Sequence, residues 1–589
     1  MMPLASYRPS LGPPLLFAAA LAVGGCAVAE SASGTEGMRA LFASTAPGAQ
    51  GSSGLSGTSG AYGAYLAGRH AAGEVETAIA ADQLLRAERL LPQDGEVVRR
   101  AFLAALLDGR PDALRLARRL PDNGIAVLLV AGAEAQAGRW DRAEAQARAL
   151  PARDELALLR PLLLAWTQAG RGQTDAALAT LRPLVEGGGA RGIAALHGAM
   201  IADLAGRGPE ALRLVRLSLA EPGEPNLRQI QIAGAILLRR GAEPEALQLA
   251  ARLPRGVEDL GLFAGDGGAG LLRGLLAVPP VASATDGMAE AKLAFAGALR
   301  SQGAGEYALA MARLALRLRP DLAPALLLAA EALSDERQHG AAHAALARIA
   351  EGDPLQPIGL LRRAVLLDRM DRTAEAEALL RGLATAMPAA PQPWARLGDI
   401  LRGRARFADA LAAYDGAAER MPAPPGPRDW SLFYARGVAA ERAGLWPRAE
   451  ADFRRALDLS PEQPHVMNYL AYSWVEQGRN LTEARAMLER AVALRPQDGH
   501  IVDSLGWALF RLGQWPRAVE LLERAVELEP RNATINDHLG DAYWTTGREA
   551  EARFQWRRAL GLDPEPEERA RIERKLREGL PPGGAATPR

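Results

Sequence analysis

Large, small and polar positions recur in a fixed order through the second half of the chain. In residues 391–424 the order is Trp394, Leu397, Gly398 and Leu401, followed by Ala410, Tyr414, Ala417 and Pro422. It returns in 499–532 as Leu505, Gly506, Leu509, Gly513, Ala518, Leu522, Ala525 and Pro530, and in 533–566 as Leu539, Gly540, Tyr543, Gly547, Ala552, Trp556, Ala559 and Pro564. Residues 430–463 and 464–498 repeat it, with Phe453 and Leu488 at the large position of the second half. Prolines set the period: Pro320, Pro354, Pro388, Pro422, Pro461, Pro496, Pro530 and Pro564 are 34, 34, 34, 39, 35, 34 and 34 residues apart. Each unit predicts two helices. The glycine between them (Gly444, Gly478, Gly513, Gly547) stands where a helix ends at positive φ. Pro447 and Pro516 open second helices, where the missing N–H costs nothing. Gly398, Gly437, Gly506 and Gly540, with Ala410, Ala449, Ala518 and Ala552, leave room where the two helices approach most closely. One pair buries too little to offset an ordering entropy of about 1–2 kcal/mol per residue, so neighbours must stack.

This order of residues at a 34-residue period resembles the tetratricopeptide repeat. The resemblance implies an all-α superhelical solenoid of antiparallel helix hairpins. Eight units span 288–566, the first three (289–322, 323–356, 357–390) keeping the small residues but few of the large ones. Residues 61–254 read as degenerate repeats, with five or six hairpins after residue 95. The Gly/Pro-rich stretch 255–287 breaks the rhythm and reads as a hinge. Glu567 to Leu580 is amphipathic and predicts a capping helix, and 581–589 a disordered tail.

The N-terminus adds an address. Residues 1–25 have the parts of a signal peptide, with Arg8 followed by the apolar core Leu15 to Val23. That core is shorter than the ~20 residues a membrane span needs. Val23-Gly24-Gly25-Cys26 resembles the lipobox of bacterial lipoproteins, which implies acylation of Cys26. Ala27 rather than Asp after it implies the outer membrane, periplasmic face. Several acyl chains, at ~0.8 kcal/mol per buried CH₂, make such an anchor effectively permanent. Residues 26–60 are rich in Gly and Ser and read as a flexible tether, with a reach of about 30–35 Å.

Composition then removes alternatives. The 589 residues carry 69 basic and 69 acidic side chains, so the formal charge is zero, against a nucleic-acid partner. Cys26 is the single cysteine, which excludes disulfide frameworks, cysteine-based zinc sites and CxxC redox pairs. GDGGAG (Gly265 to Gly270) lacks the Gly-Lys-Ser/Thr of a phosphate loop. His339 and His343 share a helix face without a glutamate base and read as a surface pair. No metal, cofactor or catalytic residue is expected, and the chain reads as non-enzymatic.

Function is therefore sought on the face of the first helices, which the family uses to hold protein segments. The positions predicted to face it are Tyr434, then His465, Asn468 and Tyr472, then His500, Asp503, Trp507 and Phe510, then Asp537, Asp541 and Trp544. Tyr472, Trp507, Phe510 and Trp544 lie off the packing positions of the repeat, so they either line a groove or pack on the next unit. The stripe is poor in lysine, which disfavours capture of a C-terminal carboxylate and favours segments with apolar and basic side chains. The resemblance implies an adaptor or scaffold that recruits a protein partner, for example a periplasmic processing protease or cell-wall hydrolase. An assembly factor for secretion, pilus or polysaccharide export is the alternative, and a substrate-selecting transferase subunit the alternative of another class. Oligomeric state is not readable from these features.

Overall fold

The computed structural model describes residues 58–74, 76–151, 156–187, 190–220, 225–252, 262, 274, 279–421 and 423–580. The apolar run, Cys26, nearly all of the tether, most of 255–278 and the 581–589 tail lie outside the described residues. The chain divides into two compact units at Arg396/Leu397. Among the described residues the regular elements are all helical.

In the first unit, α1 (Thr58–Gly73) pairs with α2 (Thr77–Leu90), α3 (Gly95–Leu107) with α4 (Asp112–Ala117), and α5 (Gly124–Gln136) with α6 (Trp140–Ala149). Next come α7 (Leu159–Gly170) with α8 (Thr174–Gly187), α9 (Arg191–Leu204) with α10 (Gly208–Ser218), and α11 (Leu227–Arg239) with α12 (Glu243–Ala251). Beyond the 253–278 stretch follow α13 (Ala284–Ser301) with α14 (Gly305–Leu318), α15 (Ala323–Asp335) with α16 (His339–Leu346), and α17 (Gln356–Arg369) with α18 (Thr373–Ala386).

The stretch 255–287 reads from its sequence as a hinge between two halves, but its last residues are already helical. Ser283 and Asp286 close a capping box on α13, each bonding the other's backbone N–H. The α13/α14 hairpin then lies across first helices of the earlier pairs: α13 against α5, α7 and α9, α14 against α3 and α5. Gly287 permits this contact, since a Cβ there would stand 2.2 Å from the Trp166 indole. Arg313 Nε donates to the Leu107 carbonyl at 2.9 Å, and Arg228 grips Glu290. Met288, Leu293, Met311, Leu314 and Leu316 are all buried. The hairpin thus has apolar residues on more than one face and fills a surface that an open array would leave to solvent. Trp166 Nε1 donates to His197 Nδ1 at 2.9 Å, and burial pushes this imidazole down to about 3, so it remains a neutral acceptor.

The second unit begins within α19 (Gln392–Gly403), whose Gly398 lies against Tyr414 of α20 (Phe407–Ala418). After a 3₁₀ turn at Pro427–Asp429 come α21 (Trp430–Arg442) with α22 (Trp446–Leu459), α23 (Pro464–Glu476) with α24 (Leu481–Leu494), α25 (Gly499–Arg511) with α26 (Trp515–Leu528), and α27 (Ala533–Thr545) with α28 (Glu549–Leu560). The last helix, α29 (Pro566–Glu578), packs on α28 and covers the end of the stack. The repeat's small residues do what the pattern requires. A Cβ on Gly540 would lie 2.5 Å from the Trp556 ring, so only glycine lets this fully buried indole cross the pair. Gly513 ends α25 at φ +75°, the left-handed region where a side chain is strained.

Candidate functional site

The predicted stripe lies on α21, α23, α25 and α27, one helix per unit. Its residues do not share one environment. Asp503, Trp507, Phe510, Asp537 and Asp541 are buried, as is Tyr472, whereas Tyr434, His465, Asn468, His500 and Trp544 are half-buried.

The buried group is locked together by residues of adjacent units. Asp503 faces His538 Nδ1 at 3.0 and 3.1 Å through its two carboxylate oxygens. The Trp507 ring stacks on His538 at 4.1 Å and on Phe510 at 4.9 Å, nearly parallel in both cases. Its indole N–H donates to Glu476 at 2.8 Å. One unit further on, Lys575 of α29 donates to both oxygens of Asp537 at 2.8 Å and to Asp541 at 2.7 Å. Asp541 also accepts the Trp556 N–H at 2.9 Å. Trp544 packs on Trp556 at 5.4 Å, under the Arg553 guanidinium at 5.1 Å. Of the residues for which sequence left groove lining and packing open, Trp507 packs on the next unit through His538, while Phe510 stacks on Trp507 and the half-buried Trp544 meets Trp556 of its own unit.

The other end is more open. Tyr434 sits among Trp430, Phe453 and Tyr469 with ring centres 6.0–6.2 Å away. His465 and Asn468 follow on α23, both half-buried, and the Asn468 carbonyl oxygen is itself buried with no hydrogen-bond partner among the described residues.

Sequence reasoning did not assign His538, Glu476 or Lys575 to the stripe. The repeat arithmetic contained the signal: Asp503 and His538 are 35 residues apart, Asp541 and Lys575 34. One period of offset puts residues side by side on neighbouring first helices.

Charge follows the geometry. Burial alone would push the His538 imidazole down, but the Asp503 carboxylate, helped by Asp537 and Glu476, holds it above its ordinary value. Burial likewise opposes charge on Lys575, and the two aspartates more than offset it. Burial raises the Asp541 carboxyl, and the neighbouring Asp537 raises it further against the pull of Lys575. A His held protonated in the folded state stabilises fully below its unfolded pKa near 6.5, and the gain is lost as pH rises through the higher folded value. Asp503, Asp537, Asp541, Glu476 and Glu568 all face this ring. The melting temperature should therefore fall across that window, and His538→Gln should flatten the fall. An identical pH slope in wild type and variant would reject the charged pair.

Among the described residues no three His, Cys, Asp or Glu side chains come together as metal ligands. His339 and His343 lie on α16, where burial and neighbouring arginines push both imidazoles down.

Antiparallel helix pairs, close-packed through glycine and alanine and joined by ties one period apart, define a helical repeat scaffold. Residues 395–464, 434–499 and 504–565 match the family model of the tetratricopeptide repeat, and the chain carries these repeats there. A TPR repeat-containing protein of Pseudomonas aeruginosa is 32% identical over 88 residues, which span 15% of this chain and 15% of that protein. Among solved structures, YrrB, described as a TPR protein with an unusual peptide-binding site, is 19% identical over 33% of this chain and 97% of its own, with a TM-score of 0.27. A thermophilic TPR protein of Thermus thermophilus is 23% identical over 32% of this chain and 99% of its own, at a TM-score of 0.28. The APC/C hetero-tetramer Cut9-Hcn1 aligns over 78% of this chain and 96% of its own at 14% identity and a TM-score of 0.37.

Proposed function

We propose that this protein is a non-enzymatic adaptor, lipid-anchored through Cys26 to the periplasmic face of a bacterial outer membrane, that captures segments of a partner protein with its C-terminal repeats. A processing protease or a cell-wall hydrolase is the partner class this reading favours. The observation that carries capture is the half-buried end of the stripe, where His465, Asn468 and His500 stand on successive first helices. The apolar run ending at Val23-Gly24-Gly25-Cys26 supports the anchor.

The test is crosslinking and pull-down from the cell envelope. Asn468→Ala should reduce the crosslinked partner at least severalfold with melting unchanged; full capture by this variant would refute the groove assignment. Cys26→Ala should move the protein from the membrane fraction to the soluble fraction. If it stays with the membrane, the lipid anchor is wrong while the groove stands or falls on the first experiment.

A further inference from the structure

Of the 69 basic residues in the chain only two are lysine, Lys292 and Lys575. Lys575 is accounted for by Asp537 and Asp541. Lys292, on α13, is 1% exposed and meets the opposite situation. Among the described residues no carboxylate or hydrogen bond offsets its loss of water, and burial pushes the amine down to about 7. Glu290, two residues earlier, is taken by Arg228 and Arg319.

The amine lies in a cavity of about 20 Å³ where α4, α5, α13 and α14 meet, room for one water-sized group. Leu114, Leu128, Leu129, Leu314 and Leu318 form its walls. Gly132 keeps it open, because a Cβ there would stand 3.2 Å from Lys292 Nζ. The lining residues nearest solvent are Gln136, which is exposed, and Arg317, which is half-buried and the other charged residue of the lining. An arginine in place of Lys292 would stay charged with no counter-ion, and a leucine would fill the space. Lysine alone among these is neutral when the cavity is empty and cationic when an anion enters it.

We infer that this cavity is a binding site for a carboxylate group, one oxygen seated at Lys292 Nζ and the remainder held at the mouth by Arg317. At a pH above the amine's midpoint, binding takes one proton from solvent onto Nζ, so the ammonium and the carboxylate enter as a neutral pair. The carboxylate belongs either to a short aliphatic acid or to the end of a peptide chain, and in both cases only an oxygen enters, since the cavity has room for one water-sized group.

Two lysines make the test direct. In the full chain labelled with ¹³C-lysine, two ε-methylene signals are expected, one titrating near 7 and the other above 10.5. Lys292→Met identifies the first, and Lys575→Arg does so by elimination if that variant fails to fold. Saturating propionate should raise the Lys292 midpoint by about one pH unit or more, roughly a tenfold preference for the ammonium form. A peptide ending in a free leucine carboxylate and its amidated twin separate the sources. A shift with propionate assigns a free acid, and a shift with the free peptide alone assigns a chain terminus. A midpoint unmoved by both, or moved as far by chloride at equal concentration, overturns the carboxylate site.

Discussion

Lys575→Met should destabilise the C-terminal unit by about 3–5 kcal/mol, the usual cost of leaving buried charge without its partner. Lys575 is the one cation hydrogen-bonded to Asp537 and Asp541 among the described residues, and both carboxylates are buried. Methionine keeps most of the side-chain volume, so the loss reports charge rather than a cavity. Denaturant unfolding followed by tryptophan fluorescence reads it out, since eight of the ten tryptophans lie in 394–556. Adding Asp537→Asn and Asp541→Asn to the variant should recover most of the loss, because amides need no counter-charge. An unchanged unfolding midpoint in Lys575→Met would mean that α29 is not tied down as described.

Trp507→Ala carries the second large effect, again about 3–5 kcal/mol, for a large aromatic removed from a packed interior. Its ring is 4% exposed, covers His538 on one side, and its N–H occupies Glu476. Truncation therefore opens a cavity and leaves a half-buried carboxylate without its donor. Asn468→Ala, on the half-buried end of the same stripe, should stay within about 0.5 kcal/mol of wild type. Thermal melting of the two variants separates a packing role from a binding role. Comparable stability in both would return Trp507 to the groove.

The stripe was legible as a face but not as a set of contacts. Spacing put Asp503, Trp507, Asp537 and Asp541 on one side of their helices, and in the structure all four are buried. Whether that side is solvent, groove or interior depends on what lies one period away, and the pattern of a single unit does not encode it. His538 and Lys575 convert the acidic, aromatic part of the face into interior; His465, Asn468 and His500 stay half-buried. Likewise, the two buried histidines shift in opposite directions: burial pushes His197 down, whereas at His538 burial is more than offset by the Asp503 carboxylate.

By itself the sequence determined the repeat: the period, the two helices per unit, and the glycines at close approach, because these follow from short-range sterics and from apolar spacing within 34 residues. It also carries the Val-Gly-Gly-Cys resemblance on which the proposed anchor rests. Tertiary structure decided the rest. The α13/α14 hairpin packs back onto earlier first helices. Among the described residues Lys292 is left without a counter-ion, and Lys575 is given two. Those outcomes depend on the dielectric and the partners that each side chain meets after the chain has folded, and charge counted along a neutral sequence holds no record of either.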